Sequence, residues 1–128
     1  MIFGILQGRL SEPVNNKMQE FPSNWKSEFN VLNIIGLGGI EWLITPNDNL
    51  NNPFFTEQNL PTKILSVCVD TMVNNSFYKY EFMNQNLLPV LEKMVELNLD
   101  KIVIPLLEES SVENEYIRHE FLKNITPI

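Results

Sequence analysis

Cysteine and histidine are almost absent from this chain, with one of each, Cys68 and His119, in 128 residues. A lone cysteine excludes a disulfide within the chain, which suits a reducing compartment. Cys68 lies in the apolar run Ile64-Leu65-Ser66-Val67-Cys68-Val69 with no base nearby in sequence, so it reads as a small buried filler rather than a nucleophile. A lone histidine inside the last predicted helix leaves no convincing Ser–His–Asp or Cys–His arrangement. It also leaves no His/Asp/Glu cluster with metal-ligand spacing on one element. Basic residues are scarce too: nine Lys and Arg stand against sixteen Asp and Glu, for a net charge of −7 and a pI near 4.6. Such a chain is repelled by phosphate backbones and anionic membranes, so neither nucleic acid nor membrane is an expected partner. No apolar run approaches the roughly 18 residues that span a bilayer, and the N-terminus lacks a charged-then-apolar leader pattern. The sequence therefore reads as cytoplasmic. The five glycines form neither G-x-G-x-x-G after the first strand nor a Walker A loop. Gly36-Leu37-Gly38-Gly39 lies between a helix and a strand, the wrong side for cradling a phosphate.

What is present is ordinary globular material. The length fits one domain, 1–128, and an apolar content of 44% can furnish a core. Ile2–Leu6 is a short apolar run that reads as a buried strand, and Ser11–Pro22 reads as a loop. Ser23 is placed to cap a helix whose apolar face is Trp25, Phe29, Leu32 and Ile35, with Gly36 as its terminator. Gly39–Ile44 is a second strand, stopped by Pro46. Asn47–Pro61 is asparagine-rich and offers at best one turn near Thr56-Glu57-Gln58. Ile64–Val69 is a third strand. Asn86 is placed to cap a helix with Pro89 in its first turn and Leu87, Leu88, Leu91, Met94 and Val95 as its stripe. Ile102–Leu107 is a fourth strand. Ser110 with Glu113 matches a capping box before a helix through Ile117 and Phe121. Strands alternating with helices predict an α/β fold with a parallel sheet, and periodicity alone does not separate a doubly wound sheet from part of a barrel.

Ligands of parallel α/β proteins sit at the carboxyl ends of the strands. The first strand ends in Gln7-Gly8-Arg9: an amide for hydroxyls, a glycine admitting close backbone approach, and a permanent cation for phosphate or carboxylate. The second ends in Glu41-Trp42: a carboxylate able to hydrogen-bond hydroxyls or act as a base, and an indole able to stack on a sugar. Strand alternation puts these two on opposite faces, so at most one points into a barrel. Asp70 ends the third strand and can meet hydroxyls or cap the next segment. Glu108-Glu109 end the fourth and also suit the dipole of the next helix. The residues alone support an α/β domain with polar strand ends suited to a small polyol.

Gly4-Ile5-Leu6-Gln7-Gly8-Arg9-Leu10-Ser11 resembles the opening of bacterial sugar phosphate isomerase/epimerase proteins of the xylose-isomerase-like class. The resemblance continues in order through Gln19-Glu20-Phe21-Pro22, Trp25 with Glu28-Phe29, Gly39-Ile40-Glu41-Trp42, Asn52-Pro53, Ser66-Val67-Cys68-Val69-Asp70 and Asp100 to Pro105. It implies the N-terminal half of a (β/α)8 TIM barrel, about four βα units with a shortened second helix. By resemblance, Gln7, Arg9, Glu41 and Asp70 lie on the first-half side of the pocket, where they bind and shape a small sugar or sugar phosphate. With the residue reading above, the expected catalytic residue is Glu41 and the expected binding residues are Gln7, Arg9, Trp42 and Asp70. The family's divalent metal (Mn, Mg, Co or Zn) assists proton transfer between adjacent carbons. Its ligands come mainly from later strands, so no metal set is assigned to this chain. A half-barrel leaves two open strand edges, which implies a homodimer, a complementing C-terminal half-barrel, or a truncated non-catalytic interaction module. The superfamily's nucleic-acid repair branch is disfavoured by the −7 charge.

Overall fold

A computed structural model describes residues 1–128, with the side chain of Asn49 set aside. The elements alternate as β1 (Gly4–Leu6), α1 (Trp25–Ile35), β2 (Gly39–Ile44), α2 (Pro53–Thr56) and β3 (Ile64–Val69). Beyond them lie α3 (Tyr80–Asn86), α4 (Leu88–Glu96), β4 (Ile102–Val103) and α5 (Glu115–Ile125). The four strands form one all-parallel sheet in the order β1-β2-β3-β4. The order never reverses, so this sheet has no switch point of the doubly wound kind.

Register divides the strand side chains between two faces. Trp42 lies opposite Val67 and Ile44 opposite Val69, and all four join the core with Trp25, Phe29 and Leu32 of α1, Met83 of α3 and Val90 and Met94 of α4. Glu41 lies opposite Ser66, and Leu43 opposite Cys68, on the other face. Leu43 and Cys68 are buried yet stand apart from that core cluster. A register shift after Ile40 inserts Leu65 as an extra residue, so Leu65 and Ser66 turn to the same open face. Leu65 lies across Gly4 and Gly39: a Cβ at Gly39 would stand 2.5 Å from its Cγ.

Trp42 is the centre of the covered face. Its ring meets Trp25 at 5.0 Å, Phe21 at 5.6 Å, Phe54 at 6.1 Å and Phe29 at 6.4 Å between centroids. Its indole N–H donates to Asn52 Oδ1 at 2.8 Å. Asn52 is fully buried; its Oδ1 also accepts from Phe54 N, and its Nδ2 donates to Leu43 O and Asp48 Oδ2. One side chain thus caps α2, ties it to β2 and satisfies the indole.

Several boundaries differ from the sequence reading, each for a local reason. Ile2 and Phe3 are exposed, and β1 begins at Gly4. The residue before α1 is Asn24, not Ser23, and it caps with no side-chain bond. Ile35 faces solvent, and Glu28 takes a buried position on the α1 stripe instead. Gly36 ends the helix in the left-handed region at φ 75°, as expected. The single turn before β3 falls at Pro53–Thr56 because Asn52 supplies the cap. Asn86 caps nothing: the chain is already helical through α3, and Asn86 Nδ2 donates back to Phe82 O. Leu87, just before α4, and Val90 and Met94 on it are buried, while Val95, one residue further round the helix, is 80% exposed.

The fourth strand is cut short by its proline. Val67 N donates to Lys101 O, so residues 101, 103 and 105 face β3, and the next N–H due to β3 belongs to Pro105, which has none. The capping box is also misplaced. Asn114 caps α5 through Ile117 N, whereas Ser110 is buried in a 3-10 turn (Glu108–Ser110) that folds back on Pro105 O and Leu107.

Replacing Asn52 by Ala orphans the Trp42 N–H and the Leu43 carbonyl together. Urea unfolding followed by tryptophan fluorescence should show a loss of about 2–3 kcal/mol for Asn52→Ala. The exposed neighbour Asn51→Ala should cost under about 0.5 kcal/mol.

Candidate functional site at the strand ends and the open face

The end of β1 is a built turn. Gln7 N donates to Glu41 O, continuing the ladder, and the Gln7 side chain then replaces the backbone: its Oε1 accepts from Leu43 N at 3.0 Å. The main chain has already turned away at Gly8, where φ is 84° and a Cβ would stand 1.9 Å from Gln19 O. Only glycine fits there. Beneath the turn, the buried Glu28 carboxylate accepts Gly8 N–H and Leu10 N–H, each at 3.0 Å. A carboxylate receiving two backbone donors compensates much of its own desolvation.

This arrangement decides what the first strand end can offer. Gln7 is fully buried and spends its oxygen on β2; only Nε2 stays without a partner among the described residues. Arg9 is exposed, and its Nη1 reaches Gln19 O at 3.3 Å. It is free to swing toward an anion. Trp42 corrects the sequence expectation: it has no exposed surface and belongs to the helix-covered core, so its position does not allow it to stack on a ligand.

Glu41 and Asp70 lie on the same face of the sheet without touching: Glu41 stands inside β2 opposite Ser66, and Asp70 just past the end of β3. Alternation places both on the open face, with Cys68 between them in the β3 row. Ser66 Oγ donates to Glu41 Oε2 at 2.7 Å. A cleft of about 290 Å³ opens here, lined by Gly4, Ile5, Leu6, Glu41, Leu65 and Ser66. Burial, and then the neighbouring charges of Glu20 and Glu108, raise the Asp70 carboxyl above its usual range. Glu108 stands on a left-handed backbone at φ 54°, a strained position for a residue with a side chain. Burial, with the charges of Glu41 and Asp70, pushes the Cys68 thiol up to about 12, so the filler reading of Cys68 agrees with its setting. A second cleft, of about 440 Å³, lies beside the end of β2 and is lined by Gln19, Glu20, Phe21, Thr45, Asn47 and Asp48.

Glu28, Ser66, Glu20 and Asp48 were not singled out from sequence. For Glu28 a signal existed: it falls between Trp25, Phe29 and Leu32 on a helix stripe, where an acid must find donors. The others depend on strand register and loop path. His119 is exposed on α5, and Glu109 is exposed at the surface. Among the described residues no group of three or more His, Cys, Asp and Glu is placed to hold a metal ion, so the side chains present do not by themselves fit the divalent metal that the sequence resemblance implies. No helix is long and apolar enough to cross a membrane.

No family model, curated protein or solved structure matches the chain.

Because folding raises the Asp70 pKa, ionising Asp70 works against the fold. That penalty is absent while the group is protonated in both states, and it grows as pH rises through the unfolded value near 3.8 toward the folded one. Asp70→Asn should therefore melt at a higher temperature than the parent at pH 7, with the two curves converging below pH 3.8. Thermal unfolding across pH by circular dichroism reads this directly; a stability loss at pH 7 would contradict it.

Proposed function

We propose that the chain is half of a (β/α)8 barrel of the sugar phosphate isomerase/epimerase type. Its open face and strand ends would supply one side of a site for a small sugar or sugar phosphate. The observation that carries this reading is that Glu41 and Asp70 share one face of a parallel sheet whose strands run in the order β1-β2-β3-β4. The ordered motifs from Gly4 to Pro105 add the resemblance that names the substrate class.

In this reading Glu41, held by Ser66 Oγ, is the carboxylate that takes or returns a proton at a carbon beside a hydroxyl. Asp70, half-buried just past the end of β3, accepts from a substrate hydroxyl. Arg9 swings from Gln19 O to a phosphate. Gln7 acts by shaping the turn, with its free Nε2 as the one group left for a ligand. Trp42 supports the sheet from behind. No step is assigned to a metal, because the described side chains do not gather one.

The second reading is a non-catalytic half-barrel that serves as an interaction module for a partner chain. The same lack of a ligand set for the family's metal favours it.

Calorimetric titration with a panel of sugars and sugar monophosphates separates the two. The catalytic-half reading expects saturable heat with at least one sugar phosphate. Arg9→Ala should weaken it roughly tenfold, the loss of about one charge-assisted hydrogen bond. Glu41→Gln should leave phosphate-driven binding in place while abolishing solvent-deuterium incorporation at the substrate carbon. Absence of heat with every member of the panel, for a chain shown to be folded, would leave only the module reading.

A further inference from the structure

We infer that the open face is covered by a second copy of this chain, with β4 of each copy pairing in parallel with β1 of the other to close an eight-stranded ring. The inference rests on the half-barrel reading and names the partner that completes it.

The edges decide the geometry. In a parallel ladder the N–H and C=O of one residue point to the same side, and successive residues alternate. Gln7 N bonds to Glu41 O, so residues 5 and 7 face β2, while Gly4 and Leu6 face outward. Lys101 O receives Val67 N, so 101, 103 and 105 face β3, while Ile102, Ile104 and Leu106 face outward. Pro105, the residue without an N–H, thus falls on the β3 side and takes nothing from the outer edge. The Leu6 and Val103 side chains share the open face with the position of Gly4, so placing Gly4 opposite Val103 keeps every side chain on its own side. The seam is then Gly4 N–H to Ile102 O, Ile104 N–H to Gly4 O, and Leu6 N–H to Ile104 O. It ends at Leu6 O, which Arg9 N already occupies within the chain.

Side chains agree with the backbone. Exposed apolar residues flank both edges: Ile2 and Phe3 before β1, and Val103, Leu106 and Leu107 at and after β4. Among the described residues the strands of the open face carry one acid, Glu41, while Asp70, Glu20 and Glu108 gather at its rim. Between them the face is apolar, so a second copy meets mainly uncharged side chains there.

The occupant must satisfy two different edges of one polarity at once. A single added strand or helix satisfies one at most and leaves the other open. A second copy satisfies both by symmetry: a two-fold axis makes two identical seams and the ring closes. Four strands from each copy give the eight whose interior side chains fill. The faces that parallel sheets keep buried are then both covered.

The test is light scattering on a sizing column, with sugar-phosphate titration run separately on the same samples. The parent chain should elute at twice its 14.9 kDa. Ile104→Pro removes a seam donor and no bond to β3, and Val103→Glu puts a charge into the closed interior. Each should elute as a single chain with an unchanged far-ultraviolet circular dichroism spectrum, and if one fails to fold the other decides. A single-chain mass for the parent would overturn the pairing and point to a different chain as the cover. A dimer that survives whichever substitutions fold would overturn it as well. A dimer that binds no sugar phosphate keeps the seam and removes the catalytic reading; a monomer that binds one does the reverse.

Discussion

A parallel sheet covered by helices on one face only is the constraint on which the rest of this structure depends. Parallel strands cannot be joined by tight hairpins; each needs a crossover, and the crossovers bring the helices that cover the sheet. Here they serve the face bearing Trp42, Ile44, Val67 and Val69. The other face is left to Leu6, Leu43, Leu65, Cys68 and a single strand carboxylate, Glu41. The proposed site and the proposed pairing both rest on that imbalance.

The chain spends its most exacting geometry at the carboxyl ends of the strands. Glu28 rises from α1 to hold the Gly8 and Leu10 amides, Gln7 lends an amide oxygen to β2 in place of a carbonyl, and Gly8 admits Gln19 O where no Cβ fits. Opposite, Asp70 is left half-buried among acids, with Glu108 on a left-handed backbone nearby. The first cluster strengthens the fold and the second costs stability. A costly group is expected where binding or proton transfer is served, because nothing in folding requires it.

The alternation of strands and helices was legible because apolar runs such as Ile64–Val69 and stripes such as Trp25–Leu32 are local signals. The shortened second crossover was legible too, from its prolines and asparagines. The features that escaped depend on distant partners. That Trp42 faces the helices and Glu41 the open side is a matter of register, not composition. Pro105 ends β4 only because the parity set at Lys101 turns residue 105 toward β3, and Ser110 reads as a helix cap until its hydroxyl is seen to serve Pro105 O and Leu107. Of the candidate site residues, Glu41 lies inside β2 rather than at its end and shares a face with Asp70, Arg9 stays exposed, and Trp42 moves into the core. A large aromatic at a strand end is ambiguous until the layer behind it is known.

The most direct measurement is residue-resolved amide hydrogen exchange as a function of chain concentration. The amides of Trp42, Ile44, Val67 and Val69 belong to the covered sheet and should exchange slowly at every concentration. Those of Gly4, Leu6 and Ile104 point to the open edges; they should exchange quickly in dilute solution and slow markedly as concentration rises. Exchange at Gly4, Leu6 and Ile104 that is already slow in dilute chain, or that stays fast at high concentration, would contradict an open face closed by a second copy.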